Sequence, residues 1–233
     1  PVNVRGMWIG TFHGLCNRFL RAHWKLAGLP QGFQILDASD SVAAVKRVVK
    51  AMALDEERYP PKQAAYFISG SKEEGLRPHD IVAPDPHTAK LIEVYAAYEA
   101  QCQREGVVDF GELMLRCYEL MRDNDAVREH YRRRFAHVLI DEFQDTNKLQ
   151  YKWLQMFAPP EQPKGVFAVG DDDQSIYAFR GAQVGNMADF EREYRVPQVI
   201  KLEQNYRSYA HILDAANALI AHNTKRLGKN LRT

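Results

Sequence analysis

Apolar positions change their period twice along the 233 residues. Val4–Thr11 reads as a short strand. Phe12–Leu26 follows with helical spacing at Phe12, Leu15, Phe19, Leu20 and Ala27, and meets Gly28 as a C-cap. Residues 39–134 then read as almost unbroken helix, with no strand expected. Starts fall at Asp40-Ser41, at Pro60-Pro61, after Pro86, and at Asp109 with Glu112 three residues on. Gly75, Gly106 and Asn124 sit where these helices stop, and Pro78, Pro84 and Pro86 mark a non-helical connector.

From Ala136 the pattern shortens. Apolar runs at His137–Ile140, Val166–Val169 and Val199–Leu202 alternate with helical stretches near Asn147–Phe157, Val184–Tyr194 and Tyr209–His222. Such alternation predicts a parallel sheet with crossover helices, an α/β architecture into which the helical block is inserted.

Composition narrows the class without naming a partner. At 45% hydrophobic and 26% charged residues the chain is ordinary globular protein, of a length that suits two domains. Net charge is +1: residues 1–135 carry 19 basic and 18 acidic groups, and residues 136–233 carry 12 of each. Residues 1–50 hold seven Lys/Arg against two Asp, and the tail holds Lys225, Arg226, Lys229 and Arg232; solvated faces are the default reading of both. Cys16, Cys102 and Cys117 are odd in number and form no CxxC pair, so neither a disulfide framework nor a zinc site is suggested, and a reducing cytoplasmic setting fits best. No apolar run approaches the roughly 18 residues of a membrane span. A strand so close to residue 1, with no initiator Met, reads as an internal piece of a longer chain.

Candidate chemistry concentrates where the predicted strands end. Val138-Leu139-Ile140 runs into Asp141-Glu142, at the carboxyl edge where open parallel sheets hold ligands. Nucleotide hydrolysis needs a hard-oxygen ligand for Mg²⁺ and a carboxylate that takes a proton from the attacking water, and Asp141 and Glu142 suit those two tasks. Two acids after a strand also cap helices, so on these residues alone the readings are even.

The second strand ends in Gly170-Asp171-Asp172-Asp173-Gln174, where the three acids read as a solvated turn or another cation site. The Gln174 amide can both donate to a phosphate oxygen and orient water. Tyr177, Phe179 and Arg180 interleave rings with a guanidinium, a composition that stacks bases, although burial of the rings in a core is the commoner use. Leu202–Ser208 closes a strand and opens a helix that Ser208 would cap, with Arg207 placed to reach a phosphate or a surface ion pair.

Four ordered segments carry a resemblance: Gly10-Thr11-Phe12-His13-Gly14; Asp141-Glu142-Phe143-Gln144-Asp145-Thr146; Val169 through Ala182; and Gln204-Asn205-Tyr206-Arg207-Ser208. In order and spacing they resemble superfamily 1 DNA helicases of the UvrD/PcrA/Rep group, and the resemblance extends through the helical block with its Ser71-Lys72-Glu73-Glu74-Gly75-Leu76-Arg77-Pro78 stretch. It implies an incomplete RecA-like (P-loop NTPase) sheet with a large inserted all-helical subdomain. Residues 1–11 and 135–201 would belong to the first motor domain, 12–134 to the insertion, and 202–233 to the start of the second motor domain.

The resemblance further implies an ATP-dependent helicase that translocates 3′ to 5′ on single-stranded DNA and unwinds duplex DNA in repair or replication, with repair proteins as partners and no membrane association. Asp141 would bind Mg²⁺, Glu142 activate water, Gln174 sense the terminal phosphate of ATP, Arg207 act as an arginine finger, and Tyr206 lie against the adenine. Thr11, His13, Lys72, Tyr177, Phe179 and Arg180 would contact DNA. Many relatives carry Trp where this chain has Phe179. No Gly-x-x-x-x-Gly-Lys-Thr/Ser occurs in the sequence, so the backbone nest and lysine for the phosphates are absent from it, and the 233 residues alone are expected to be inactive as an ATPase. Two rival readings are the motor part of a helicase-nuclease subunit and, for the isolated chain, a non-enzymatic module that binds single-stranded DNA.

Overall fold

A computed structural model describes residues 4–162, 165–175, 185–222 and 228–233. The chain divides into two compact units, Pro1–Ala136 with Asn147–Pro159, and His137–Thr146 with Pro160–Thr233.

The first unit is helical. Helix α1 (Phe12–Ala22) begins at Thr11, whose hydroxyl accepts the Gly14 N–H, and buries Cys16, Phe19 and Leu20 on one face. Strand β1 (Gln34–Ile35) precedes α2 (Ala38–Ala51), which Asp37 caps through the Asp40 N–H rather than Asp40-Ser41. Helix α3 (Pro61–Glu73) starts with proline at its first position, as the sequence indicates. Helix α4 (Pro86–Glu105) is capped by Asp85 and stopped by Gly106 in the left-handed conformation. Strand β2 (Val107–Val108) then pairs in parallel with β1, a two-residue ladder inside the block expected to be all helix. Helix α5 (Phe110–Asp123) opens on the Asp109 cap, α6 (Asp125–Arg134) on Asn124, and α7 (Lys148–Phe157) on an Asn147/Gln150 capping box.

Apolar residues at helical spacing form the core here. Val45, Val48 and Val49 of α2, Ala64 and Ile68 of α3, and Val94, Tyr95 and Tyr98 of α4 make one buried cluster. Val4–Thr11 is not a strand, since no described segment offers it a ladder partner. Trp8 instead sets its ring edge-on to Tyr131 and Phe135, with Arg18 over its face.

The second unit is built on β3 (His137–Ile140) and β4 (Gly165–Ala168), parallel and in register from His137 opposite Gly165 to Ile140 opposite Ala168. Single helical turns of 3₁₀ type follow at Phe143–Asp145 and Asp172–Gln174, and helices α8 (Gly185–Glu193) and α9 (Ala210–Ile220) complete it. Val199–Leu202 forms no strand among the described residues; the pairing nearby is a bridge between Gln204 and Arg232. The fold is therefore mixed α/β with short parallel sheets. Among the described residues no helix is long and apolar enough to cross a membrane.

Candidate functional site

The parallel register brings the ends of β3 and β4 to one edge, and backbone bonds continue past both strands. Val169 N–H donates to the Ile140 carbonyl at 2.8 Å and Phe143 N–H to the Val169 carbonyl at 2.9 Å, so the two loops that follow are fastened to each other. Between those bonds lie Asp141 and Glu142. Glu142 adopts the left-handed backbone conformation (φ 51°, ψ 44°), costly for a residue with a Cβ and kept only where surrounding bonds impose it. The Asp141 carboxylate accepts the Glu142 N–H at 3.0 Å. Both acids are exposed, so they do not serve as a cap for α7, which Asn147 caps.

Gln144 lies underneath, 2% exposed. Its Nε2 donates to Glu142 Oε2 at 2.7 Å, and its Oε1 accepts the Asp171 N–H at 2.9 Å. The sequence reading gives Gln144 no role. Its signal there is an amide set between two acids, the group able to donate to one neighbour and accept from another. Behind the loop, Asn186 of α8 donates to the Thr146 carbonyl at 2.9 Å, and Phe190 meets Phe143 edge-on at 5.2 Å. Asp145 completes the segment, its carboxyl pushed up by burial and by the neighbouring Glu142.

The acids after β4 carry one partner network. Asp171, Asp172 and Asp173 place carboxylate oxygens within 4.8 Å of one another. Asp171 accepts Gln174 Nε2 at 2.6 Å and pairs with Lys229. Burial pushes the Asp171 carboxyl up, but Lys229 and Gln174 outweigh it and hold it below the ordinary range. One hydrogen-bonded chain thus runs from Gln174 through Asp171 and Gln144 to Glu142.

Arg207 and Tyr206 sit on the turn before α9, where Asn205 Oδ1 accepts the N–H groups of Arg207 at 2.9 Å and Ser208 at 2.8 Å. Tyr206 is 92% exposed. Among the described residues neither side chain bonds to the Glu142–Gln174 chain. Helix α9 is capped from Tyr209 and not by Ser208, because Ser208 lies within the turn that Asn205 organises.

In the first unit Thr11 and His13 occupy the start of α1; His13 is partly buried, edge-on to Phe110 at 5.7 Å, and burial lowers its pKa. The reading of Lys72 as a DNA contact is corrected by its surroundings. Lys72 is 2% exposed, and its ammonium lies 2.8 Å from Asp109 and 3.1 Å from Glu112, so it presents no charge to a strand outside. Tyr177, Phe179 and Arg180 lie outside the described residues.

Residues 2–195 match the UvrD/REP helicase N-terminal domain family. The chain is 52% identical over 229 residues to DNA helicase II of Salmonella typhimurium and to that of Escherichia coli, covering 98% of this chain and 32% of each relative. It is 39% identical over 232 residues to the ATP-dependent DNA helicase PcrA of Leuconostoc citreum, covering 99% of this chain and 31% of the relative. The chain spans about a third of the length of these curated relatives.

Proposed function

The chain belongs to the UvrD/REP helicase family, and we propose that it forms part of the motor of an ATP-dependent DNA helicase that moves 3′ to 5′ along single-stranded DNA and opens duplex DNA in the cytoplasm. On this reading residues 1–11 and 135–201, which include the β3–β4 pair, are part of a RecA-like first motor domain, residues 12–134 are a helical insertion, and residues 202–233 begin the second motor domain. The observation that carries it is the hydrogen-bonded chain joining Glu142 to Gln174 across the ends of two parallel strands.

Bound Mg²⁺–ATP supplies the phosphoryl group and the cation that offsets its charge. Asp141, an exposed hard-oxygen donor at a strand end, suits water-mediated attachment to that cation. Glu142 takes the proton of the attacking water. Gln174 exchanges its bond to Asp171 for one to the terminal phosphate, which transmits the state of the nucleotide along the loop. Arg207 stabilises charge on the departing phosphoryl, and Tyr206, already exposed, lies against the base.

Thr11 and His13, at a helix start where backbone N–H groups point outward, hold the DNA backbone. Tyr177, Phe179 and Arg180 would meet bases and phosphates. A strand-displacement assay tests the reading. A protein of the relatives' length containing this chain should open a duplex with a 3′ single-stranded tail, and only with ATP and Mg²⁺. Opening from a 5′ tail alone, or without nucleotide, would sink it.

A further inference from the structure

We infer that Gln144 is a positioning residue for hydrolysis, fixing the Glu142 carboxylate and tying it to the loop that carries Gln174. The inference rests on the reading of Glu142 as the base. Three observations meet at this side chain. Its amide is enclosed and both ends are satisfied, the donor by Glu142 Oε2 and the acceptor by the Asp171 N–H. Glutamine is the residue type that can do this: a carboxylate lacks the donor, and asparagine is one methylene shorter.

The second observation is Gly170, where a Cβ would come within 2.8 Å of Gln144 Oε1, so the neighbouring loop leaves room for the amide. Third, Glu142 sits in a left-handed backbone conformation and has an exposed side chain, so its carboxylate depends on an outside bond for its orientation. A rotation of the Asp171–Gln174 turn moves the Asp171 N–H, and through Gln144 it reorients the base. The amide therefore links a phosphate-sensing loop to the group that moves the proton.

The test uses the full-length protein containing this chain, with saturating single-stranded DNA. Gln144→Met keeps the length and removes both polar ends. Its kcat should fall about 10- to 100-fold. The KM for ATP and the affinity for a non-hydrolysable ATP analogue should stay within about threefold of wild type. Added to Glu142→Gln, it should cause no further loss in single-turnover hydrolysis, because the two residues act as one unit.

A kcat within about twofold of wild type, a loss that tracks analogue binding, or additive losses in the double variant would overturn the inference. Where Gln144→Met does not fold, Gln144→Glu keeps the acceptor and sets a like charge against Glu142, and the same kcat loss is expected. Near-normal turnover by Glu142→Gln would instead sink the assignment of the base. An inactive Glu142→Gln beside a fully active Gln144→Met would sink only this proposal.

Discussion

Lys72 on α3 and Asp109 at the cap of α5 are joined at 2.8 Å, and the same Asp109 oxygen accepts the Tyr98 hydroxyl of α4 at 2.8 Å. Asp109 thereby fastens three helices while its other oxygen caps the Glu112 N–H at 2.7 Å. Removing one partner of a buried pair costs about 3–5 kcal/mol. Glu112 retains Arg77 at 2.9 Å and Arg116 at 2.7 Å, which points to the lower end. Lys72→Met should therefore lower stability by about 3 kcal/mol in urea unfolding. In the full-length protein its affinity for single-stranded DNA should be unchanged; a selective loss of DNA binding at normal stability would restore Lys72 as a contact.

Glu112 sets a dependence on acid. Burial pushes its carboxyl up, but Lys72, Arg77 and Arg116 outweigh it and hold Glu112 far below the ordinary carboxylate range. A carboxylate depressed in the folded state contributes stability that is present above its unfolded pKa of about 4.3 and lost as pH falls toward the folded value. The urea midpoint should thus decline steadily below about pH 5. Glu112→Gln should be less stable at neutral pH and flatter against acid, keeping a residual slope from Asp37 and Asp85, which cap hydrogen bonds hold low. An unchanged slope would remove Glu112 from the explanation.

Gly170 gives a second route to the Gln144 amide. An added Cβ would lie 2.8 Å from Gln144 Oε1 and 3.3 Å from the backbone nitrogens of Gln144 and Phe143, so Gly170→Ala should displace that amide, with a thermal melt beside the assay to check that the variant folds. Expected is a kcat loss of about 10-fold or more with near-normal ATP affinity. Normal turnover would show that the close approach at Gly170 has no bearing on hydrolysis.

Arg207 is exposed on a turn ordered by Asn205. As an arginine finger, Arg207→Ala should lower kcat by about 10³-fold or more while leaving the fold intact, measured by DNA-stimulated phosphate release beside a thermal melt. A loss below tenfold would leave Arg207 as a surface charge.

Local chemistry was the legible part of this sequence. Asp109 with Glu112, Pro61, Gly106 and the run His137–Ile140 each carry their signal within a few residues, as caps, stops or a compact apolar strand. Val4–Thr11 and Val199–Leu202 have strand composition but form no ladder among the described residues, since a strand depends on a partner that its own residues do not encode. The short β1–β2 ladder lies inside helical pattern and is too brief to show a period. Asp141, Glu142 and Gln174 stood out as candidates from their place after apolar runs, with a helix-cap reading of the two acids equally open until the structure gave that cap to Asn147. Gln144 was not, because its role follows from where its two partners sit. Lys72 was misread because the resemblance gave a residue type and not its burial.

In the proposed motor Glu142 is the base that takes the proton of the attacking water. Single-turnover ATP hydrolysis by Glu142→Gln, in the full-length protein with saturating single-stranded DNA and Mg²⁺, tests it most directly. Its rate should be lower by about 10²- to 10⁴-fold with ATP affinity retained. A rate within about tenfold of wild type would contradict it.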